Sequence, residues 1–460
     1  MTAKLRRYPL VSRLMPLVRE DLDNTYARDL HKWLLIAPLL GVTVGLTVTA
    51  VSEIILRRMW SPVLACFLAH PWTIVPIVTA GCGLAGVVMQ LWTPNPNEHS
   101  TEEILHAYHH DEGRVDMRPF AAKLAAAALT VGLGGSAALE GPSIYSGGAL
   151  GSWLWERLRR IKAFRLTDRD RRILLISGAA AGMSAVFRAP LTGIVFALEM
   201  PYKDDLAHEA LLPSLLASVV SYVTLGSFLG GEPLFDFHST GSYTMHDLWW
   251  CALLGALVGL AAMTFVISFR RLRFAVVKLK APHALKLTVG GLLTGLTGLG
   301  FLRCYPGRLI PLGPNYEAVG MILDQSHGTR ELLSFVAAKL GATAFTLGAG
   351  GVSAMFVPLF LSGGTLGVAF SQSFVHSSQP DLYAAVGMAA FLSAAYKTPL
   401  AAVVFVAEAT GGHAFLIPAL VGAAVAYIVS GDSSISPEQT VHERAEAPPP
   451  SSNPAGNPKP

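Results

Sequence analysis

Phe187–Glu199 reads FRAPLTGIVFALE, and Tyr396–Glu408 reads YKTPLAAVVFVAE. An aromatic, a basic residue, a Pro in fourth place, an apolar run and a closing Glu recur in the same order, with Pro190 and Pro399 209 positions apart. A second match stands upstream of each copy: Ser146–Gly151 reads SGGALG and Ser362–Gly367 reads SGGTLG, 216 positions apart. Two matches in one order at nearly one offset indicate a duplicated chain. Duplicated halves with interrupted helices are how many secondary transporters place a site at mid-membrane.

Composition agrees. Of 460 residues, 52% are apolar and only 14% are charged, against about 25% in a soluble domain. With a mean hydropathy of +0.46, this excludes a nucleic-acid binder, a disordered scaffold and an ordinary cytosolic enzyme. The 35 basic and 31 acidic residues leave a net charge of only +4, so bulk charge names no partner. A membrane-crossing helix needs about 20 apolar residues. Leu34–Leu56, Leu248–Ile267 and Leu416–Val429 read as such spans. Other apolar runs are cut around Gly132–Gly135, Gly147–Gly151, Ala189–Gly193 and Gly348–Gly351. Broken helices persist at membrane depth only inside protein or along a polar cavity, so an internal site is expected.

Basic islands orient the chain: the N-terminal arm, Arg157–Arg172 and Arg270–Lys280 should face the cytoplasm. Residues 1–30, with Lys4, Arg6, Arg7, Arg13 and Arg19, read as a cytoplasmic amphipathic segment rather than a secretory signal. The first repeat is expected over 31–235, the second over 245–436, and a disordered cytoplasmic tail rich in Pro, Ser and Ala over 437–460. Cys66, Cys82, Cys251 and Cys304 have no paired spacing and read as small buried hydrophobes.

Gly134–Tyr145 reads GGSAALEGPSIY. Pro142 suits the first turn of a helix, and Gly141 lets the backbone approach a bound group closely. Free amides and the positive dipole end at such a start favour an anion. The Glu140 carboxylate stands at its edge and can take the anion's place. In the second repeat, Gly348–Pro358 reads GAGGVSAMFVP, another Gly-rich turn before a Pro-bearing helix start. The amides of Met355, Phe356 and Val357 are expected to face those of Leu139, Glu140 and Gly141. Two helix starts aimed at one centre hold a dehydrated anion without a full positive charge, which would bind it too tightly for fast release.

These stretches resemble the CLC family of chloride channels and chloride–proton antiporters. The resemblance is carried by GSAALEGP at Gly135–Pro142, GAAAGMSAVFRAPLTGIVFALE at Gly178–Glu199, MFVP at Met355–Pro358 and YKTPLAAVVFVAEATG at Tyr396–Gly411, within residues 30–436. It implies an all-α membrane protein of two inverted-topology repeats with tilted and broken helices. It further implies a homodimer in the lipid bilayer with a separate pore in each subunit, without cofactor or metal. Glu140 matches the family's gating glutamate, which competes with chloride and carries the proton in exchangers. Gly141, Met355, Phe356 and Val357 match or adjoin its chloride-coordinating amides. Compact size and the lack of an appended regulatory domain point to the bacterial inner membrane, and the Glu-Gly-Pro stretch follows the chloride rather than the fluoride branch.

Departures bear on mechanism. The family's Gly-Ser-Gly-Ile-Pro motif is replaced by NEHSTEE at Asn97–Glu103, where Ser100 takes the place of the coordinating serine. Leu139 stands where the family has Arg, and Ala354 replaces a Gly. Ser436 falls at the pore tyrosine, and Met200 at the inner proton-transfer glutamate. Methionine relays no proton, so an uncoupled voltage- or pH-gated chloride channel is the alternative to proton antiport, and loss of the tyrosine suggests a more open inner mouth. Glu199 and Glu408, equivalent in the two repeats, read as structural. His106, His109 and His110 in HAYHH read as part of a hydrophilic loop helix rather than a metal site. A secondary carrier for an organic solute would share the repeats. An intramembrane serine protease would need a Ser–His pair at membrane depth, and none stands out.

Overall fold

The computed structural model describes residues 26–98, 100–161, 164–230, 235, 243–323, 327–377, 379–410 and 413–441. Most of the expected N-terminal amphipathic segment, residues 1–25, and residues 442–460 of the expected tail lie outside the described residues. Among the described residues the regular structure is helical, apart from two isolated bridges. The first half runs α1 (Tyr26–Ser52), α2 (Ser61–Ala69), α3 (Ile74–Trp92), α4 (Ser100–His110), α5 (Phe120–Gly132), α6 (Glu140–Leu158), α7 (Asp168–Phe187), α8 (Pro190–Glu199) and α9 (Leu211–Leu229). The second runs α10 (Met245–Lys278), α11 (His283–Cys304), α12 (Ala318–Leu323), α13 (Thr329–Gly348), α14 (Phe356–Phe370), α15 (Pro380–Tyr396), α16 (Pro399–Thr410) and α17 (Leu416–Val429).

The motif that betrays the duplication is a helix-breaking device. α7 ends on Arg188 with φ +53°, and α15 on Lys397 with φ +58°. Each left-handed residue stops its helix, and Pro190 or Pro399 two positions on starts the next. The packing repeats as well. α6 lies on α7 as α14 lies on α15; α3 on α5 as α11 on α13; α1 on α9 as α10 on α17. Equivalent elements also meet each other, α3 with α11 and α8 with α16. Ala138 and Ala354, 216 positions apart, form an antiparallel bridge.

Such self-complementary contact is what a two-fold axis produces, and the two halves are inverted repeats. The closing glutamates confirm it. Glu199 accepts from the Leu400 and Ala401 amides at 3.0 and 2.7 Å, starting α16. Glu408 accepts from the Leu191 and Thr192 amides at 3.0 and 2.7 Å, starting α8. Each carboxylate satisfies orphan donors of its counterpart's helix, the structural role expected. Glu199→Ala and Glu408→Ala should therefore each cost about 2 kcal/mol of stability, read as a lower midpoint of thermal unfolding in detergent. Unchanged midpoints in both would show the caps to be dispensable.

Among the described residues, six helical runs are long and apolar enough to cross a membrane. Leu35, Leu84, Leu215 and Leu257 on their outer faces are exposed, as lipid-facing residues are. α6, α7, α14 and α15 are buried almost throughout and form the interior.

Four expectations need correction. Leu416–Val429 forms α17, but its 14 residues rise only about 21 Å, short of a full crossing; packed on α10 and α15, it has protein rather than lipid to match. Gly147–Gly151 is no break. It lies within continuous α6, where a Cβ on Gly147 would overlap the Gly178 carbonyl of α7, so glycine there serves close packing. The tail stays packed past Pro437: the Gln439 amide donates to the Met200 and Tyr396 carbonyls. Among the cysteines, Cys82 and Cys251 are buried, whereas Cys304 is exposed.

Candidate functional site

Leu139 caps α6 and Met355 caps α14. Pro142 and Pro358 stand third in their helices, and the first intrahelical bonds are those of Ser143 to Leu139 and Leu359 to Met355, at 3.1 and 3.0 Å. The amides of Glu140, Gly141, Phe356 and Val357 thus have no helical acceptor. The Ala138–Ala354 bridge brings these two starts together, and the Ser353 hydroxyl adds a bond to the Ala138 carbonyl. Gly141 is required there. A Cβ would come within 2.7 Å of the Ser353 carbonyl carbon and 2.9 Å of the Ala354 nitrogen.

Glu140 is 1% exposed. Its Oε1 accepts the Phe356 amide at 2.6 Å, whereas its buried Oε2 has no hydrogen-bond partner. The carboxylate of one repeat is therefore seated on the helix start of the other, where an anion would sit. The segment carrying it is pinned to α13 by hydroxyls: Ser136 meets Thr343 at 2.9 Å, and its amide donates to Thr346 at 3.1 Å.

Beyond Met355 lies a cavity of about 40 Å³, lined also by Ser100, Ser436 and Tyr396. It has room for a few waters or one small ion. Ser100 begins α4 with φ +60° and is 5% exposed, as is Ser436. The two sequence-predicted serines thus converge on one space with Met355, while Glu140 and Gly141 lie at the helix starts behind it. Tyr396 alters one expectation. Although Ser436 falls where the resemblance puts the pore tyrosine, Tyr396, 40 positions upstream, lines the same cavity, so the inner mouth is not simply widened. Met200, 2% exposed, caps the end of α8 and does not line the cavity.

The Phe356 ring is enclosed by Phe187, Phe196, Phe405 and Tyr396 at centroid distances of 4.9 to 5.6 Å. Phe196 with Phe405, and Phe187 with Tyr396, are equivalent positions of the quoted repeat. That pairing was visible in the sequence, but not that both pairs converge on Phe356. Lys339 was also missed. It is fully buried on α13 and donates to the Gly313 carbonyl at 2.9 Å. A Lys in the middle of a membrane helix, past the charged first turn of Arg330 and Glu331, was the signal available. His106, His109 and His110 end α4. His109 bonds the Pro201 carbonyl at 2.9 Å, His106 pairs with Asp111, and no metal-holding cluster occurs among the described residues.

The profile of the Voltage gated chloride channel family matches residues 81–431. The chain belongs to this family. It is 27% identical over 420 residues to a "Putative chloride channel protein ClcB-like" of Ralstonia nicotianae, covering 86% of this chain and 93% of that one. It is 28% identical over 300 residues to the "H(+)/Cl(-) exchange transporter ClcA" of Yersinia pseudotuberculosis, covering 64% and 61%. Among solved structures, a CLC-type fluoride/proton antiporter superposes with a TM-score of 0.78 at 22% identity, over 91% of this chain and all of the other. A slow cyanobacterial Cl-/H+ antiporter gives 0.75 at 23%, over 87% and 94%. Both share the fold. Family membership and the apolar helices make this CLC protein an integral multi-pass membrane protein.

Proposed function

We propose that the chain moves chloride and other small monovalent anions across the membrane in exchange for protons, through one pathway in each subunit of a homodimer. The observation that carries this reading is the Glu140 carboxylate seated on the Phe356 amide between two converging helix starts. Ionised, it occupies the anion's place; protonated, it loses its hold on the two positive helix ends and yields the place to an anion. Gly141, Phe356 and Val357 supply the amides of this outer position, and Met355, Ser100 and Ser436 line the inner cavity. A 40 Å³ cavity favours a halide over an organic solute.

A second reading, an uncoupled chloride channel, is favoured by Met200 at the end of α8, which carries no proton, while the neighbouring Glu199 carboxylate is engaged by the Leu400 and Ala401 amides. Simultaneous recording of chloride and proton movement in liposomes holding the purified protein separates the two. Chloride efflux that draws protons uphill supports exchange, and efflux without proton movement supports the channel. Absence of halide flux of any kind, fluoride included, would defeat both.

A further inference from the structure

The cavity of Ser100 and Ser436 has a charged rim on its basic side. Glu102, in the first turn of α4, and Arg273, near the end of α10, line the same space as Met355 and Tyr396. Arg273 Nη1 donates to Glu102 Oε1 at 2.5 Å, and Nη2 donates to Oε2 at 2.6 Å and to the Asn97 carbonyl at 3.2 Å. The pair joins the first half of the chain to the second. Its side chains are 19% and 25% exposed, so each presents one face to solvent and the other to the cavity. The adjacent α4 carboxylate, Glu103, is fixed on Lys123, and both are more deeply buried. α4 is thereby anchored, which leaves the long Arg273 side chain as the part able to swing. Arg270, Arg271 and Lys278 on the same stretch of α10 mark this end as cytoplasmic.

We propose that Glu102 and Arg273 form an electrostatic latch on the cytoplasmic entrance to the anion pathway. Closed, the carboxylate consumes the guanidinium's donors in a bidentate pair and repels an arriving anion. Open, the guanidinium swings clear, draws an anion from the cytoplasmic side and delivers it to the Ser100–Ser436 cavity. The latch rests on the anion-transport reading above and adds to it a residue pair outside the helix-start site.

The test is the chloride concentration giving half-maximal transport in liposomes. Glu102→Gln, which frees the guanidinium, should lower it about fivefold, and Arg273→Gln, which leaves a bare carboxylate at the entrance, should raise it about fivefold. The double variant, which removes both charges, should return to within about twofold of the parent, because the two opposite effects cancel. Single variants that both stay within about twofold of the parent would overturn the latch. If Arg273→Gln does not fold, Glu102→Gln with Arg273→Lys replaces it: a retained gain supports the latch and none overturns it. Parent protein that moves no anion would instead sink the transport reading itself, whereas an active parent with unaltered variants removes the latch alone.

Discussion

Glu140→Gln is expected to abolish proton movement while anion movement continues. Glutamine fills the same space and its carbonyl can still accept the Phe356 amide, so the helix starts stay where they are. What it lacks is a site that gains and loses a proton in the pathway. Proton flux should fall by at least about 100-fold, the scale on which a positioned acid–base group contributes, and anion flux should become independent of pH. Glu140→Ala goes further, removing the group that competes for the amides of Gly141, Phe356 and Val357. Anion flux in that variant should be equally insensitive to pH and at least as fast as the parent's.

In the parent the sign of the pH effect is fixed. Acid neutralises the carboxylate held by two positive helix ends, so anion flux rises as pH falls. The measurement is paired chloride and proton recording across a pH series. An unchanged pH response in both variants would remove Glu140 from the role assigned to it. If the parent proves to be an uncoupled channel, the pH dependence of its anion flux should still vanish in both variants. The prediction therefore tests Glu140 separately from coupling.

The sequence disclosed what depends on local chemistry. Left-handed Arg188 and Lys397 before Pro190 and Pro399 make a repeat that reads directly from the chain, because a helix stop is written within four residues. The same is true of Leu139-Glu140-Gly141-Pro142, where cap, acid, glycine and proline act on neighbouring backbone. Gly147 misled because glycine weakens a helix and also permits another to approach; only the partner's backbone, at Gly178, decides which applies. α17 matched its expected bounds and still fell short of a span, since whether it faces lipid or protein depends on α10 and α15. Tyr396 entered the cavity through the fold's two-fold axis, joining residues 296 positions apart from Ser100. Periodicity carries no information about that meeting.

Lys339 is the residue for which this distinction matters most. It is fully buried, and its Nζ donates to the Gly313 carbonyl at 2.9 Å. The same loop supplies Tyr316, whose hydroxyl accepts the Leu139 amide at 3.3 Å. Leu139 leaves no cation beside Glu140 on its own segment, so a charge acting on the bound anion would have to come from Lys339 of α13. A full charge on Lys339, at roughly 8 Å from a bound anion and an effective dielectric of about 20, would be worth about 2 kcal/mol, or about thirtyfold in affinity. Lys339→Met keeps the length and apolar stem of the side chain and deletes the charge. Half-saturating chloride should rise about thirtyfold, with little loss of stability, because removing a buried charge relieves desolvation while leaving the Gly313 carbonyl unpartnered costs only about 1 kcal/mol. A purely structural lysine would behave in the opposite way. Its loss would lower the thermal midpoint in detergent and leave the chloride dependence where it was, and that pair of results would strip Lys339 of any part in holding the anion.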